Sequence, residues 1–292
     1  MAEIETELYI SSSCFKKGEF AAILDTVSTL PATGLELSHF SGAIPDLATI
    51  QQQADQKKCK LLVHNYFPPP ENPFVMNLAS DSTETLEQSI LLAEKAIRFC
   101  RKAKIPFYSV HCGFACNAAP EDLGKPLTSL QRIPLQNAMD IFVQSLKKIC
   151  LYAQRMGVKI AIENHTVSSF NLVNGENKLL PGATPDELLK IVDSVHMENL
   201  GLLLDLGHLK ITSRSMGFDL NDAIKKLSSR TLAIHIHDNN GIYDEHLPMT
   251  ESSWFLDLLA NHFGPNVKLV MESNDQTADS LAKQIQILKK VL

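Results

Sequence analysis

A series of short apolar runs each carry ionisable residues near their C-terminal ends. They are His64 in LLVHNY, His111 in YSVHCG, Glu163 in IAIENH, Asp205 and His208 in LLLDLGH, His235 and His237 in AIHIHD, and Glu272 in LVMES. A carboxylate flanked by Ile or Leu is costly to bury without a partner. Beyond their first residues these runs contain almost no Arg or Lys to serve as that partner. Acids and imidazoles that converge with no organic cation beside them imply an inorganic one. The mixed carboxylate and imidazole set suits Mn²⁺, Zn²⁺, Co²⁺, Fe²⁺ or Mg²⁺ and argues against a soft thiolate site. Taken singly, some of these residues have plainer readings. A lone His64 or His111 is an ordinary hydrogen-bonded core histidine, and Asp244 and His246 alone would be solvated loop residues. His39 carries a weaker signal still. Asp205 and His208, three apart across a strand end, reach one cavity together. His235 and His237 alternate to the same face of one strand, so spacing leaves open which of them binds an ion.

The elements that position these residues alternate along the chain. Short aliphatic or β-branched runs occur at Glu7–Ser12, Gly34–Phe40, Lys60–Phe67, Pro106–Cys112, Lys159–His165, Leu200–His208, Leu232–Asn239 and Val267–Ser273. Each is bounded by turn formers, as buried parallel strands are. Helical spacing lies between them, at Ser82–Lys104, Pro134–Met156, Pro185–Val195 and Asp219–Leu227, and Thr277–Leu292 ends the chain. Asp81-Ser82-Thr83-Glu84 and Thr184-Pro185-Asp186-Glu187 are helix starts. Gly157 closes a helical run before a strand. Strand–helix alternation of this kind predicts α/β architecture, a single (β/α)₈ barrel occupying residues 1–292 as one domain. A doubly wound open sheet would want a glycine-rich turn after the first strand, and Ser11-Ser12-Ser13-Cys14-Phe15 is not one. Pro68-Pro69-Pro70 and Phe170–Gly182 form long loops on the side where barrels place substrate contacts.

Composition narrows the class. Of 292 residues, 45% are hydrophobic and 21% charged, an ordinary globular balance. No apolar run reaches the roughly 18–20 residues of a membrane helix. The acidic start, Met1–Glu7, lacks the basic and apolar pattern of a signal peptide, which makes a cytoplasmic protein the expectation. Cys14, Cys59, Cys100, Cys112, Cys116 and Cys150 show no disulfide framework and read as reduced thiols. A net charge of −6 gives no support to a general nucleic-acid binder, though it leaves room for a local basic groove.

Taken together, I-A-I-E-N (160–164), L-D-L-G-H (204–208), H-I-H-D-N-N-G (235–241), D-E-H-L-P (244–248) and V-M-E-S (270–273) resemble the xylose-isomerase-like barrel superfamily from Leu8 to Leu292. That superfamily holds sugar isomerases and epimerases and the endonuclease IV branch, AP endonuclease family 2. The resemblance implies that Glu163, Asp205, His235 and Glu272 hold one divalent metal. The histidine is His235 because it stands three residues before Asp238, which leaves His237 for substrate or a second ion. It also implies that His208 contacts substrate. His64, His111, Asp244 and His246 match further ligands of the endonuclease IV branch, which uses three zinc ions on phosphodiesters, and N-L-A-S (77–80) is similar to that branch too. The chain departs from it at His165-Thr166-Val167 and Met249-Thr250-Glu251, where the branch has small or glycine-rich runs.

Two activities follow as expectations. The first is isomerisation or epimerisation of a sugar or sugar phosphate, with Glu163 and Glu272 as the catalytic pair moving a proton through a metal-stabilised enediolate. The second is hydrolysis of a phosphodiester in abasic DNA by two or three metals. The loops after the first and fourth strands offer Lys16-Lys17 as their one basic pair, which favours the sugar. Both glutamates are present, which disfavours a barrel that only binds. Relatives of this kind often pair, so a homo-oligomer is a further expectation of the resemblance.

Overall fold

The computed structural model describes residues 6–292; residues 1–5, most of the acidic start considered above, lie outside the described residues. Eight parallel strands alternate with helices. The strands are β1 (Leu8–Ser11), β2 (Gly34–Leu37), β3 (Lys60–Val63), β4 (Phe107–His111), β5 (Lys159–Glu163), β6 (Leu200–Asp205), β7 (Thr231–Ile236) and β8 (Lys268–Met271). The helices are α1 (Phe20–Ser28), α2 (Leu47–Gln56), α3 (Thr83–Ala103), α4 (Leu135–Met156), α5 (Pro185–Val195), α6 (Leu206–Met216), α7 (Leu220–Leu227), α8 (Leu256–His262) and α9 (Ala278–Val291). The strand order β3-β2-β1-β8-β7-β6-β5-β4 brings the two ends of the sheet together. At that seam Tyr108 on β4 donates its hydroxyl to the carbonyl of Asn65, and Ser109 Oγ lies 3.5 Å from the carbonyl of Val63. The result is the expected (β/α)₈ barrel.

Local sequence explains the elements. In α4 the buried residues Ala138, Met139, Phe142, Ser145, Leu146, Ile149, Cys150 and Ala153 recur every three or four positions, which makes one continuous face. Burying a side chain such as Phe142 or Leu146 contributes about 1.5–3 kcal/mol. Ser82 caps α3 by accepting from Thr85 N, and Thr184 and Glu187 cap α5 reciprocally. Gly157 ends α4 at φ +67°, a conformation that favours glycine.

The strands stop short of the apolar runs that encode them. The run Leu200–His208 yields a strand only to Asp205, because Asp205 Oδ1 accepts from His208 N at 2.8 Å and starts α6 without a loop. The run Lys60–Phe67 yields a strand to Val63, and the chain turns at His64. The ionisable residues therefore sit at strand ends or just beyond them. Two neighbouring pairs are level in the sheet: His111 opposite Glu163, and Asp205 opposite His235.

The long loops on this face have their own packing. Cys116, Leu127, Val167, Leu179, Leu180 and Ala183 form a second apolar cluster beneath the loops that follow β4 and β5. Asn77, in the N-L-A-S segment, joins the loop after β3 to the loop after β4. Its Nδ2 donates to the carbonyls of Phe114 and Cys116, and its Oδ1 accepts from Phe114 N and Ala79 N. All six cysteines are free and buried, and burial raises their thiol pKa values, to about 11 at Cys59 and Cys116. Among the described residues no helix is long and apolar enough to cross a membrane.

Candidate metal centre

The ten site residues singled out in the sequence gather at the C-terminal end of the barrel. His39 does not join them: it is exposed on the loop after β2. Five overlapping groups of these residues bring potential ligand atoms within 4.8 Å of one another. At the centre lies His235, fully buried at the end of β7. Its Nδ1 is 3.0 Å from Glu272 Oε2, 3.3 Å from Glu163 Oε1 and 3.8 Å from Asp205 Oδ2. To one side are His111, whose Nδ1 is 3.6 Å from Glu163 Oε2, and His64, whose Nε2 is 3.8 Å from Glu272 Oε1. To the other side His208, His237, Asp244 and His246 form a group of their own.

The backbone fixes several of these side chains. Asn164 Oδ1 accepts from Asp205 N at 2.8 Å while its Nδ2 donates to Asp205 O at 3.0 Å, so the ends of β5 and β6 are locked together. Gly207 packs flat against the His237 ring. A Cβ built there would lie 2.0 Å from His237 Cε1, so no larger residue fits without moving the imidazole. His237 in turn stacks on His246 with ring centroids 3.8 Å apart. His165 stacks behind His111 and its Nε2 bonds the Gly113 carbonyl at 2.7 Å.

Three imidazoles are each anchored by a hydrogen bond through one ring nitrogen, which turns the other toward a site acid. His208 Nδ1 donates to Asn164 O and His246 Nδ1 donates to Glu272 O, which leaves both Nε2 atoms on Asp244 Oδ2 at 3.1 and 3.3 Å. His235 does the reverse, with Nε2 on Glu36 Oε1 at 3.1 Å and Nδ1 turned to the acids. Such outer hydrogen bonds set which nitrogen is free to bind a metal.

The electrostatics are those of a buried mixed-charge cluster. Burial pushes the carboxyl of Glu163 up, but the imidazoles of His111, His235 and His208 hold it down to about 2. The same opposition leaves Asp205, Asp244 and Glu272 well below the usual carboxylate range. Burial lowers the affinity of His235 for a proton, yet Glu272, Glu36 and Glu163 raise it well above the ordinary value; Asp205 and Asp244 do so for His208. For His246, burial is outweighed by the hydrogen bond to Asp244 and the charge of Glu272, and the result is about 9. No Lys or Arg pairs with any of these acids among the described residues; their partners are imidazoles, whose protons an ion would displace.

The residues fit a divalent ion. His235 Nδ1 and Glu163 Oε2 are buried with no hydrogen-bond partner, and they belong to the same two acid-rich surroundings that would coordinate one. Buried polar atoms are almost always satisfied, and unpaired ones facing other ligand atoms are consistent with a bound ion. The buried His, Glu and Asp groups are consistent with a metal site of oxygen and imidazole donors.

Sequence reading had not singled out Glu36. Its signal was present: an acid inside Gly-Leu-Glu-Leu, of the same kind that marked Glu163. Asn164 was part of a quoted motif, but its side-chain role emerges only once β5 and β6 are paired.

The fold and site can be set beside known proteins. The chain aligns over 98% of its length with a D-tagatose 3-epimerase-like protein, covering 96% of that chain at 21% identity and a TM-score of 0.72. It aligns equally well, at 14% identity, with a D-psicose 3-epimerase from Clostridium cellulolyticum H10 solved with D-tagatose, covering 98% of this chain and 99% of that one with a TM-score of 0.72. A 3-keto-D-glucoside 4-epimerase from E. coli matches with a TM-score of 0.68 at 10% identity, over 97% of this chain and all of the other. At these identities the likeness is one of fold. Two uncharacterised proteins of Methanocaldococcus jannaschii, MJ1311 and MJ1614, are each 28% identical over 155 and 165 residues. These segments are 53% and 54% of this chain but 49% and 55% of theirs, so the chain spans about half the length of the curated relatives it matches. The sequence pattern of the xylose isomerase-like TIM barrel family matches residues 24–291, nearly the whole chain, and the protein belongs to that family.

Proposed function

We propose that the protein is a divalent-metal-dependent isomerase or epimerase acting on a sugar or sugar phosphate. The observation that carries this reading is the convergence of Glu163, Asp205 and Glu272 on His235 Nδ1 at 3.0 to 3.8 Å. Glu163, Asp205, His235 and Glu272 would hold the ion. When bound, the ion supplies a Lewis acid that lowers the cost of removing a proton from a carbon next to a carbonyl. The chain's own residues do the rest. Glu163 ends β5 and Glu272 follows β8, both carboxylates face His235 Nδ1, and they would serve as the two proton carriers. One removes the proton at a carboxylate oxygen and the other returns it. His208 and His237 orient substrate hydroxyls, and His64 and His111 form the opposite wall. The aligned epimerase folds support a sugar as substrate, and no basic cluster among these residues favours a polyanion.

A second reading has its own support. His208, His237, Asp244 and His246 make a further four-donor group beside the first, and His64, His111 and Glu163 make another. Occupation of all three would suit metal-assisted hydrolysis of a phosphodiester. One experiment separates the two. Metal-reconstituted protein is incubated with ketohexoses and pentuloses in D₂O, and in parallel with an abasic oligonucleotide. Deuterium entering a sugar next to its carbonyl supports the first reading. Strand cleavage without sugar exchange would replace it with the second.

A further inference from the structure

We infer that Glu36 is a positioning residue for the metal centre: its carboxylate holds His235 through Nε2 so that Nδ1 faces Glu163, Asp205 and Glu272. The inference rests on the metal-dependent reading above and extends it to a residue outside the ligand groups. Glu36 is the third of the four residues of β2 and is 1% exposed, between Leu35 and Leu37, which are fully buried. A carboxylate in such a position is costly unless something specific is gained from it. Its Oε1 accepts a hydrogen bond from His235 Nε2 at 3.1 Å, while Oε2 is buried without a hydrogen-bond partner. β2 and β7 are not neighbours; β1 and β8 stand between them. The contact therefore reaches across the barrel interior past two intervening strands.

The chemistry of the pair is directional. A carboxylate only accepts, so Nε2 carries the hydrogen. In the neutral ring Nδ1 is then the lone-pair nitrogen, and it is the atom that three acids surround. Remove the acceptor and neither the tautomer nor the ring orientation is set. The carboxylate also raises the basicity of the ring as a ligand, the role that outer carboxylates play behind metal-bound histidines in general. His208 and His246 are held through backbone carbonyls, which no side-chain substitution deletes. Glu36 does the same work with a side chain, and so it can be tested.

The test is Co²⁺ binding to the metal-stripped full chain, read by chelator competition and by the visible absorption of the bound ion. Glu36→Gln keeps an accepting oxygen but loses the charge; Glu36→Leu loses both. The Leu variant should weaken Co²⁺ binding by about 10–100-fold and change the visible spectrum, with the Gln variant between it and the wild type. Circular dichroism and the urea midpoint report on the fold separately. If the Leu variant does not fold, the Gln variant decides by the same two readouts. A wild type that binds Co²⁺ while both variants match its affinity and spectrum would overturn the role of Glu36 alone. A wild type that binds no Co²⁺ would overturn this inference together with the metal-dependent reading.

Discussion

The mouth of the barrel holds two adjoining groups of opposite character. The inner one, Glu163, Asp205, Glu272 and His235, is three carboxylates to one imidazole. The outer one, His208, His237, His246 and Asp244, is three imidazoles to one carboxylate. The inner acids are nearly or wholly buried, whereas Asp244 has 28% of its side chain exposed. Three buried carboxylates that converge on one point match a divalent cation and can carry protons. Three imidazoles around one acid are better matched to hydroxyl groups or to a more weakly held ion. Proximity alone would have merged the two groups, since His237 Nε2 touches Asp205 at 3.1 Å. Composition and burial distinguish them.

The largest effect should come from the inner group. Glu272→Gln removes a proton carrier while keeping its size, and isotope exchange into the sugar should fall by about 10²–10⁴-fold with circular dichroism unchanged. Normal turnover in that variant would remove the proton role from the inner group. Gly207→Ala tests the join between the groups. The added methyl must displace the His237 ring, which should cost about 1–3 kcal/mol in urea unfolding. An unchanged midpoint would show that the outer imidazoles are free to shift. Asp244→Asn acts on the outer group alone. It should raise KM by about tenfold, roughly 1.4 kcal/mol, with a smaller change in kcat if the group binds substrate hydroxyls. Loss of a bound ion in that variant would instead move the outer group to the hydrolytic reading. The smallest signal is in protons. Glu272, Glu36 and Glu163 raise the affinity of His235 for a proton well above the ordinary histidine value, so an incoming ion competes with a proton for Nδ1. Metal binding should therefore weaken as pH falls, and calorimetry in buffers of different ionisation heat should report net proton release. Heats independent of buffer would contradict that competition.

The barrel was legible because its strands are buried on both sides and read as continuous apolar runs. All eight appear where those runs lie, from Leu8–Ser11 to Lys268–Met271. Their ends were less legible. Apolar or β-branched residues such as Leu206 continue past the last ladder bond, and only the cap from Asp205 to His208 N shows that a helix has begun. The helices α1, α2, α6 and α8 were not picked out individually; α8 has seven residues, too few for periodicity to speak clearly. The site residues were legible because ionisable groups interrupt apolar strands. Glu36 obeyed the same rule and was passed over, because its partner lies across the barrel and no motif joins β2 to β7. His235 and His237 could not be ranked by spacing. In the structure the first faces three acids, and the second packs on Gly207 and His246.

The account stands most directly on metal content. Purified protein, stripped with a chelator and dialysed separately against Mn²⁺, Co²⁺ and Zn²⁺, should retain at least one ion per chain by elemental analysis, and Asp205→Ala should lose it. One ion would favour sugar chemistry and three would favour hydrolysis. A wild-type chain that retains none of these ions would contradict the claim that the buried acids and imidazoles of this barrel form a metal centre.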